Sequence, residues 1–248
     1  MGLPKFIKPL IKKTLPSWAA NYIQNTYLKL KFRKYRSRTL EQTFDEVYHK
    51  KMWAPEGSDM LSGAGSYGDT AERYVDFLQQ FIKENEIKTI TDIGCGDFNI
   101  GSRISVMVEH YNAFDVSGKI IERNKQMYPG LNNVLFKQQN ACYDPIPKTD
   151  LVVVREVLQH LTNEQIELIL ANIEKSNSKY VLISDMSVAL EKISVPNKDL
   201  YSHGPKARNS ESSAVVVFEP PFSRNAKVIA KLPGSQNDNY LYVYLWLL

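Results

Sequence analysis

Two acids and two glycines lie close together at Asp92-Ile93-Gly94-Cys95-Gly96-Asp97, directly after a short apolar run. Glycine lets the backbone approach a ligand closely and adopt a positive φ where a turn needs one. The pattern differs from the Gly-x-Gly-x-x-Gly of dinucleotide sites, because position 99 holds Asn99. The Asp97 carboxylate would also repel a pyrophosphate. The turn therefore predicts a site for a positively charged ligand; the alternative is a strand-to-helix turn that binds nothing.

A third acid, Asp115, follows Gly96 by 19 residues and ends another apolar run. In nucleotide-binding α/β sheets, an acid about 20 residues after the glycine turn accepts hydrogen bonds from ribose hydroxyls. We therefore predict that Asp115, with Val116 beside it, contacts a nucleoside. The alternative is an ordinary surface acid.

Four side chains are candidates for taking a proton from an acceptor molecule: Glu156, His160, Asp185 and His203. An imidazole titrates near neutral pH, which suits a general base. His160 could instead cap or pack the start of a helix. Glu156 and Asp185 could instead orient a ligand or bind substrate hydroxyls.

Two polar segments are expected to act as loops at the site. The small residues of 62–68 could fold over a ligand and bind it through backbone N–H groups, whereas a plain linker would not need Tyr67 among its glycines. Residues 186–212 predict a lid or acceptor-binding insertion. There His203, Arg208 and Asn209, together with Tyr67, could bind an anionic acceptor; the alternative is an exposed loop.

Composition limits the class of protein and its compartment. Apolar content of 43% is ordinary for a globular chain, and no apolar run reaches the roughly 18 residues of a membrane span. Cys95 and Cys142 cannot form a disulfide framework, and no Cys/His spacing suggests zinc. We therefore expect no metal site and a reduced, cytoplasmic setting.

Positive charge is concentrated at the start of the chain. The net charge is +4, yet residues 1–40 hold ten Lys or Arg and no acid, so 21 basic residues face 27 acidic ones in the remainder. Apolar residues recur at helical spacing over 6–11 and 18–27. Segment 1–38 could therefore contact an anionic membrane surface. The alternatives are a helical arm that packs on the core with a solvated basic face, and, more weakly, an RNA-binding arm.

Strand and helix patterns alternate from residue 87 onward, which predicts a mostly parallel sheet. A helix and a loop are predicted over 41–61, a helix from Asp69, and another after a capping box at Thr162 and Gln165. The predicted strands are 88–93, 111–115, 133–137, 150–154, 180–184, 215–219 and 240–247. The last two would form a terminal antiparallel hairpin.

The Asp-x-Gly-x-Gly-Asp turn resembles the first motif of class I S-adenosylmethionine-dependent methyltransferases. Residues 150–161, which end in Val157-Leu158-Gln159-His160-Leu161, resemble their fourth motif, and the resemblance covers about 62–186. It implies a doubly wound, seven-stranded α/β sheet, S-adenosylmethionine as cofactor and S-adenosylhomocysteine as product. The cofactor residues that it implies are Ser62, Gly65, Ser66, Tyr67, Asp92, Gly94, Cys95, Gly96, Asp97, Asp115, Val116, Asn140, Ala141, Arg155 and Glu156. Asn140 stands where family members often place Asp at the adenine.

Segment 62–68 also resembles a bacterial subgroup of these enzymes linked to glycan and small-metabolite biosynthesis. This resemblance implies O-methylation of a sugar hydroxyl in surface-glycan (capsule or O-antigen) assembly, on a sugar, sugar phosphate or nucleotide sugar at the inner face of the membrane. Alternatives are N- or O-methylation of another small metabolite, RNA methylation, or cofactor binding without turnover. We expect no nucleic-acid partner, because Arg155-Glu156-Val157-Leu158 replaces an Asn-Pro-Pro-Tyr-like base pocket. The expected division is a basic helical extension, 1–61, and a methyltransferase domain, 62–248.

Overall fold

The computed structural model describes residues 16–55, 57–58, 61–208, 213–234 and 238–248. Its α-helices are α1 Ser17–Phe32, α2 Leu40–His49, α3 Gly68–Glu84, α4 Asn99–Ile104, α5 Gly118–Met127 and α6 Asn163–Ser176. Its strands are β1 Thr89–Ile93, β2 His110–Asp115, β3 Val134–Gln138, β4 Leu151–Arg155, β5 Tyr180–Val188, β6 Ala226–Pro233 and β7 Asn239–Leu247. The helix predicted over 6–11 lies outside the described residues.

The strands form one seven-stranded sheet in the order β3-β2-β1-β4-β5-β7-β6. Strands β1 to β5 pair in parallel, and β7 runs antiparallel between β5 and β6. The doubly wound sheet and its antiparallel end confirm the predicted fold class. The strand order reverses between β1 and β4, and a crevice opens at such a switch point outside the carboxyl ends of the strands.

Strand β4 shows why helices cover both faces of the sheet. Val152 and Val154 pack with residues of α2 and α6, while Leu151 and Val153 pack on the other face with residues of α3, α4 and α5. All four side chains are buried. A strand that is apolar at every position is typical of a parallel strand between two helical layers.

The strand predicted at 215–219 is wrong, because the first strand of the hairpin is β6. Val215, Val216 and Val217 are buried but lie outside the sheet; the Tyr244 hydroxyl donates to the Val215 carbonyl at 3.2 Å. Their apolar run reflects packing on the face of the sheet. Strand β6 instead carries lysines at 227 and 231, as suits an edge strand that must discourage further pairing.

Residues before the first strand contribute to the core. Helix α2 begins with a capping box between Thr39 and Gln42, and it buries Phe44 and Val47 against the sheet. Tyr35, which follows α1, is 1% exposed and stacks with Phe32. The predicted division of the chain at 61/62 stays a prediction. None of the helices that the structure describes is long and apolar enough to cross a membrane.

Candidate active site

A cavity of about 360 Å³ lies at the carboxyl ends of β1, β2 and β4, a volume typical of small-ligand sites. Predicted residues that line it are Ser62, Gly65, Ser66, Asp92, Gly94, Cys95, Gly96, Asp97, Asp115, Val116, Asn140, Ala141, Arg155, Glu156 and His160. Tyr67, Asp185, His203 and Arg208 are not among its lining residues. Asn209 lies outside the described part of the chain.

The glycine turn after β1 is held tightly against the neighbouring strand. Gly94 and Gly96 have φ values of 76° and 55°, which favour glycine. The N–H groups of Gly94 and Cys95 donate to the Phe114 carbonyl at 2.8 and 2.9 Å. A Cβ on Gly94 would overlap Val157, and one on Gly96 would overlap the Ser62 side chain. Both positions therefore require glycine for conformation and for space.

Asp115 lies at the end of β2 and faces the cavity. Its carboxylate accepts hydrogen bonds from the N–H groups of Gly96 at 3.1 Å and Ser117 at 2.9 Å, and from the Tyr48 hydroxyl at 3.5 Å. The residue is 6% exposed, and burial raises the pKa of its carboxyl to about 6 despite those donors.

Asp92, in β1, is a second buried carboxylate on the same cavity. It accepts a hydrogen bond from the Tyr111 hydroxyl at 2.9 Å. Burial raises its pKa to about 7, and the charge of Asp115 adds to the shift. Two carboxylates that are costly to ionise together favour a cationic ligand between them.

Asp97 differs from the other two acids in its hydrogen-bond partners, because its carboxylate binds the loop before α3. Its Oδ2 accepts from the N–H groups of Leu61 and Ser62 at 3.0 Å each and from the Tyr67 hydroxyl at 2.8 Å. Its own N–H donates to the Ser62 hydroxyl at 2.7 Å. Tyr67 therefore fastens the loop onto the turn after β1.

Arg155 at the end of β4 fastens the same loop from the other side. Its guanidinium donates to the Gly65 carbonyl and, at 3.3 Å, to the Ser66 hydroxyl, and it lies 5.0 Å from the centre of the Tyr74 ring. Glu156 follows with a left-handed φ of 54°, and its carboxylate lies where a Cβ on Gly65 would stand. A left-handed residue other than glycine costs roughly 1–3 kcal/mol, and such residues cluster at functional sites.

An aromatic wall lines the cavity, and His160 is the one member of it that was predicted from the sequence as a site residue. It consists of Phe44 and Tyr48 on α2, Trp53 in the following turn, and His160. The Trp53 and His160 rings are 4.8 Å apart, and Trp53 lies 5.9 Å from Phe44 and 5.6 Å from Tyr48. In the sequence, the segment that holds Phe44, Tyr48 and Trp53 indicated only a helix and a loop. No local signal marked these three residues as part of a site.

His160 is partly buried within this wall. Burial lowers the pKa of its imidazole to about 4, so the ring is neutral at pH 7. Its Nδ1 has no hydrogen-bond partner among the described residues. A neutral imidazole of low pKa can accept a hydrogen bond from an acceptor molecule but is a weak general base at neutral pH.

Asp185, in β5, is buried behind the cavity wall. Within the described residues, neither of its carboxyl oxygens has a hydrogen-bond partner. Burial, followed by the charge of Glu156, raises its pKa well above the usual range for an aspartate. Asp185 does not line the cavity, so it is poorly placed to take a proton from an acceptor molecule there.

His203 and Arg208 join the 197–208 segment to the helices beneath it. Gln165 donates to His203 Nδ1 at 3.0 Å, so Nε2 carries the proton and bonds the Thr43 hydroxyl at 3.1 Å. Arg208 is fully buried and donates to the carbonyls of Leu161, at 2.6 Å, and Lys198. The proposed contacts of these two residues with an acceptor stay predictions. No cluster of three or more His, Cys, Asp or Glu among the described residues could hold a metal ion.

Comparison with known proteins identifies the fold. No family model and no curated protein matches the sequence. The structure matches magnesium protoporphyrin IX methyltransferase from Synechocystis PCC 6803 with bound SAM, at a TM-score of 0.56 and 12% identity over 84% of this chain and 94% of that one. It also matches the N-methyltransferase NodS from Bradyrhizobium japonicum WM9, at 0.51 and 14% identity over 71% and 94% of the chains.

A third match is the mitomycin 7-O-methyltransferase MmcR, at a TM-score of 0.52 and 14% identity over 83% of this chain and 61% of that one. At such low identities the likeness concerns the fold alone. The chain has the fold of class I S-adenosylmethionine-dependent methyltransferases.

Proposed function

We propose that this protein is an S-adenosylmethionine-dependent methyltransferase that acts on a small molecule. The observation that carries the proposal is the convergence of Asp92, Gly96 and Asp115 on one cavity at the switch point of the sheet. Two buried acids favour a cationic nucleoside over a dinucleotide phosphate. The same fold in a structure with bound SAM supports this choice.

Each part of the cavity suits one part of the cofactor. Asp115 would accept hydrogen bonds from the ribose hydroxyls, and Val116, Asn140 and Ala141 would contact the adenine. Asp92 and Glu156 would face the ammonium and sulfonium groups. The bound cofactor supplies an already activated methyl group, so the protein mainly aligns the acceptor with it.

The acceptor, we propose, is a sugar hydroxyl in surface-glycan assembly, on a sugar, sugar phosphate or nucleotide sugar. The resemblance of segment 62–68 to a glycan-linked subgroup supports this choice. An oxygen acceptor needs a group that takes its proton. Glu156 fits that task best, because its carboxylate lines the cavity and its left-handed backbone holds it there. Both cysteines are free thiols, which supports the cytoplasmic side of the membrane as the setting.

A second candidate is N- or O-methylation of a planar small metabolite. The wall of Phe44, Trp53 and His160 favours it, since aromatic rings stack well on a flat, apolar acceptor. The two matched enzymes named for N- and O-methylation show that the fold serves both kinds of acceptor atom.

Calorimetry with S-adenosylmethionine tests the cofactor. The wild type should bind, and Asp115→Ala should bind about tenfold to a hundredfold more weakly, because hydrogen bonds to a charged group contribute ~1.5–3 kcal/mol. Asp76→Ala is the matched control, since Asp76 is exposed on α3 and should bind as the wild type does. Absence of binding by the wild type would overturn the proposal.

Transfer of a labelled methyl group to a panel of acceptors tests the substrate class. Nucleotide sugars and sugar phosphates should be methylated if the glycan assignment is right. Methylation of planar phenols or amines alone would favour the second candidate. Glu156→Gln should then reduce transfer to an oxygen acceptor by a larger factor than it weakens cofactor binding, which calorimetry measures separately.

A further inference from the structure

Helix α1 exposes large apolar side chains on one side. Tyr22 is 70% exposed, Leu30 is 65% exposed and Ile23 is 36% exposed. At 3.6 residues per turn, these three positions fall within an arc of about 100°. Such a stripe is the width of the apolar face that a surface helix normally turns toward a core.

The opposite side of α1 is already packed. Ala20 and Phe32 are buried, and Phe32 stacks with Tyr35 at a ring distance of 6.0 Å. The Ser202 hydroxyl donates to the Phe32 carbonyl at 3.3 Å, which fixes the end of the helix to the 197–208 segment. A helix that is apolar on its packed side and again on its outer side is one that normally becomes covered on both.

The part of the sequence that contains α1 is rich in positive charge. Residues 1–40 contain ten basic residues and no acid, whereas the remainder of the chain is acidic. Lys34 and Arg38 pair with Glu46, which keeps the Glu46 pKa near 2, chiefly through Lys34. Arg33, immediately after α1, is exposed.

We propose that the exposed side of α1 is a docking surface for an anionic lipid bilayer, independent of the methyltransferase activity. Tyr22, Ile23 and Leu30 would lie at the boundary between headgroups and acyl chains, as the apolar face of an interfacial helix does. Arg33, at the end of the helix, would contact the lipid phosphates. A 40-residue stretch with basic residues and no acid is attracted to the negative surface of an anionic membrane. Binding to a partner protein or to a second copy of the chain would not require the absence of acids.

Vesicle co-sedimentation with the full-length protein tests the proposal. Vesicles of phosphatidylcholine containing phosphatidylglycerol should pellet the protein, and pure phosphatidylcholine vesicles should pellet far less of it. The double variant Tyr22→Ser, Leu30→Ser should partition at least tenfold more weakly to the anionic vesicles. Val106→Ser is the matched control, because Val106 is 69% exposed outside α1 and should leave partitioning unchanged.

Two further variants and a salt titration separate lipid binding from loss of the helix. Arg33→Gln leaves the apolar face intact and should weaken partitioning about fivefold, as expected for one basic residue at an anionic surface. Leu30→Ile should bind as the wild type does. Salt should release the wild type, since charge attraction to the surface is screened within a Debye length.

Several results would overturn the inference. One is equal partitioning of the wild type to neutral and anionic vesicles. Another is unchanged partitioning of the double variant. A change of oligomeric state in the double variant without vesicles would assign the face to a second copy, and retention of labelled RNA that Arg33→Gln abolishes would assign it to nucleic acid.

Discussion

Asp92 and Asp115 are two buried carboxyls whose ionisation the folded chain opposes, and this makes stability depend on pH. Their pKa values are raised to about 7 and about 6, above the ~3.9 of an unfolded aspartate. The folded state therefore holds more protons, so its stability is greatest below the unfolded pKa and falls as pH rises through 6 and 7. We expect the free energy of unfolding to fall by at least ~2 kcal/mol between pH 5 and 8, since one pKa unit is worth ~1.4 kcal/mol.

Urea unfolding at a series of pH values measures this fall. Asp92→Asn should flatten the profile near pH 7, because the amide cannot ionise and Tyr111 can still donate to it. A profile that rises from pH 5 to 8 in the wild type would contradict the expectation. S-adenosylmethionine should raise the midpoint of thermal unfolding more at pH 8 than at pH 5, since the ionised acids bind its cation.

Asp185 allows a separate prediction for a residue outside the cavity. Burial holds its pKa well above the usual range. The charge of Glu156 raises the pKa further, whereas the charges of Arg208 and Arg155 lower it. Asp185→Asn keeps the shape and removes the titration, so it should raise the free energy of unfolding at pH 8 and change it little near pH 4. The same urea titration measures both. A variant less stable at pH 8 would instead indicate that Asp185 is ionised in the folded protein.

The acids of the glycine turn show how far single residues could be predicted. Asp92, the glycines and Asp115 line one cavity, and this proximity could be expected because their positions follow from strand ends and a spacing of 19 residues. Their contacts with a cofactor stay a prediction. Asp97 was expected to attract the ligand, yet its carboxylate holds Leu61, Ser62 and Tyr67. Those partners lie 30 to 36 residues away in the chain, and no local pattern encodes such a contact.

Among the elements, the turn after β1 has no room for a side chain at Gly94. Gly94→Ala would force a strained φ of 76° and an overlap with Val157. We expect a loss of roughly 2 kcal/mol or more in the free energy of unfolding. Gly130→Ala is the matched control, because nothing lies within 4 Å of a Cβ there and it should be nearly neutral. Equal effects of the two variants in thermal unfolding would contradict this account.

The connection between α2 and α6 gives His203 a role that can be measured. Its ring bonds Thr43 on α2 and Gln165 on α6, and burial lowers its pKa. His203→Ala should cost about 1–3 kcal/mol of stability, because it leaves buried polar partners unsatisfied, while cofactor affinity changes less than threefold. Thermal unfolding and calorimetry separate the two effects. Wild-type stability combined with a large rise in the acceptor KM would instead favour direct acceptor binding by His203.

Strands were predicted correctly where the run of apolar residues lies inside the sheet. The parallel strands were located within one or two residues, apart from the longer β5, since their runs are short and bounded by turns. The strand predicted at 215–219 was wrong because a segment packed on the face of the sheet is as apolar as a strand within the sheet. The contribution of α2 to the cavity could not be predicted, because Tyr48 reaches Asp115 across 67 positions.

At the scale of the whole molecule, the N-terminal region has an outer part and an inner part. Helix α1 carries the exposed face, whereas its last residue, Phe32, packs with Tyr35, and α2 buries Phe44 and Val47 in the core. Tyr35 donates to the Met52 sulfur at 3.7 Å, and its ring lies 3.3 Å from where a Cβ on Gly204 would stand. The Trp53 indole N–H donates to the Pro205 carbonyl at 3.0 Å, and this bond links the wall of the cavity to the residue after Gly204. We therefore expect removal of the whole basic region to damage that wall.

Two truncations and one point variant test this division. Removal of residues 1–24 spares the Phe32–Tyr35 cluster and should leave the midpoint of thermal unfolding within about 2 °C of the wild type. Removal of 1–38 deletes the cluster and should lower it by roughly 6–12 °C, from about 3 kcal/mol for a buried aromatic at ~2–4 °C per kcal/mol. Tyr35→Ala in the full chain should reproduce most of that loss. If the two truncations unfold at the same temperature, Tyr35 contributes nothing to the core, and the region before residue 39 is then a single separable arm.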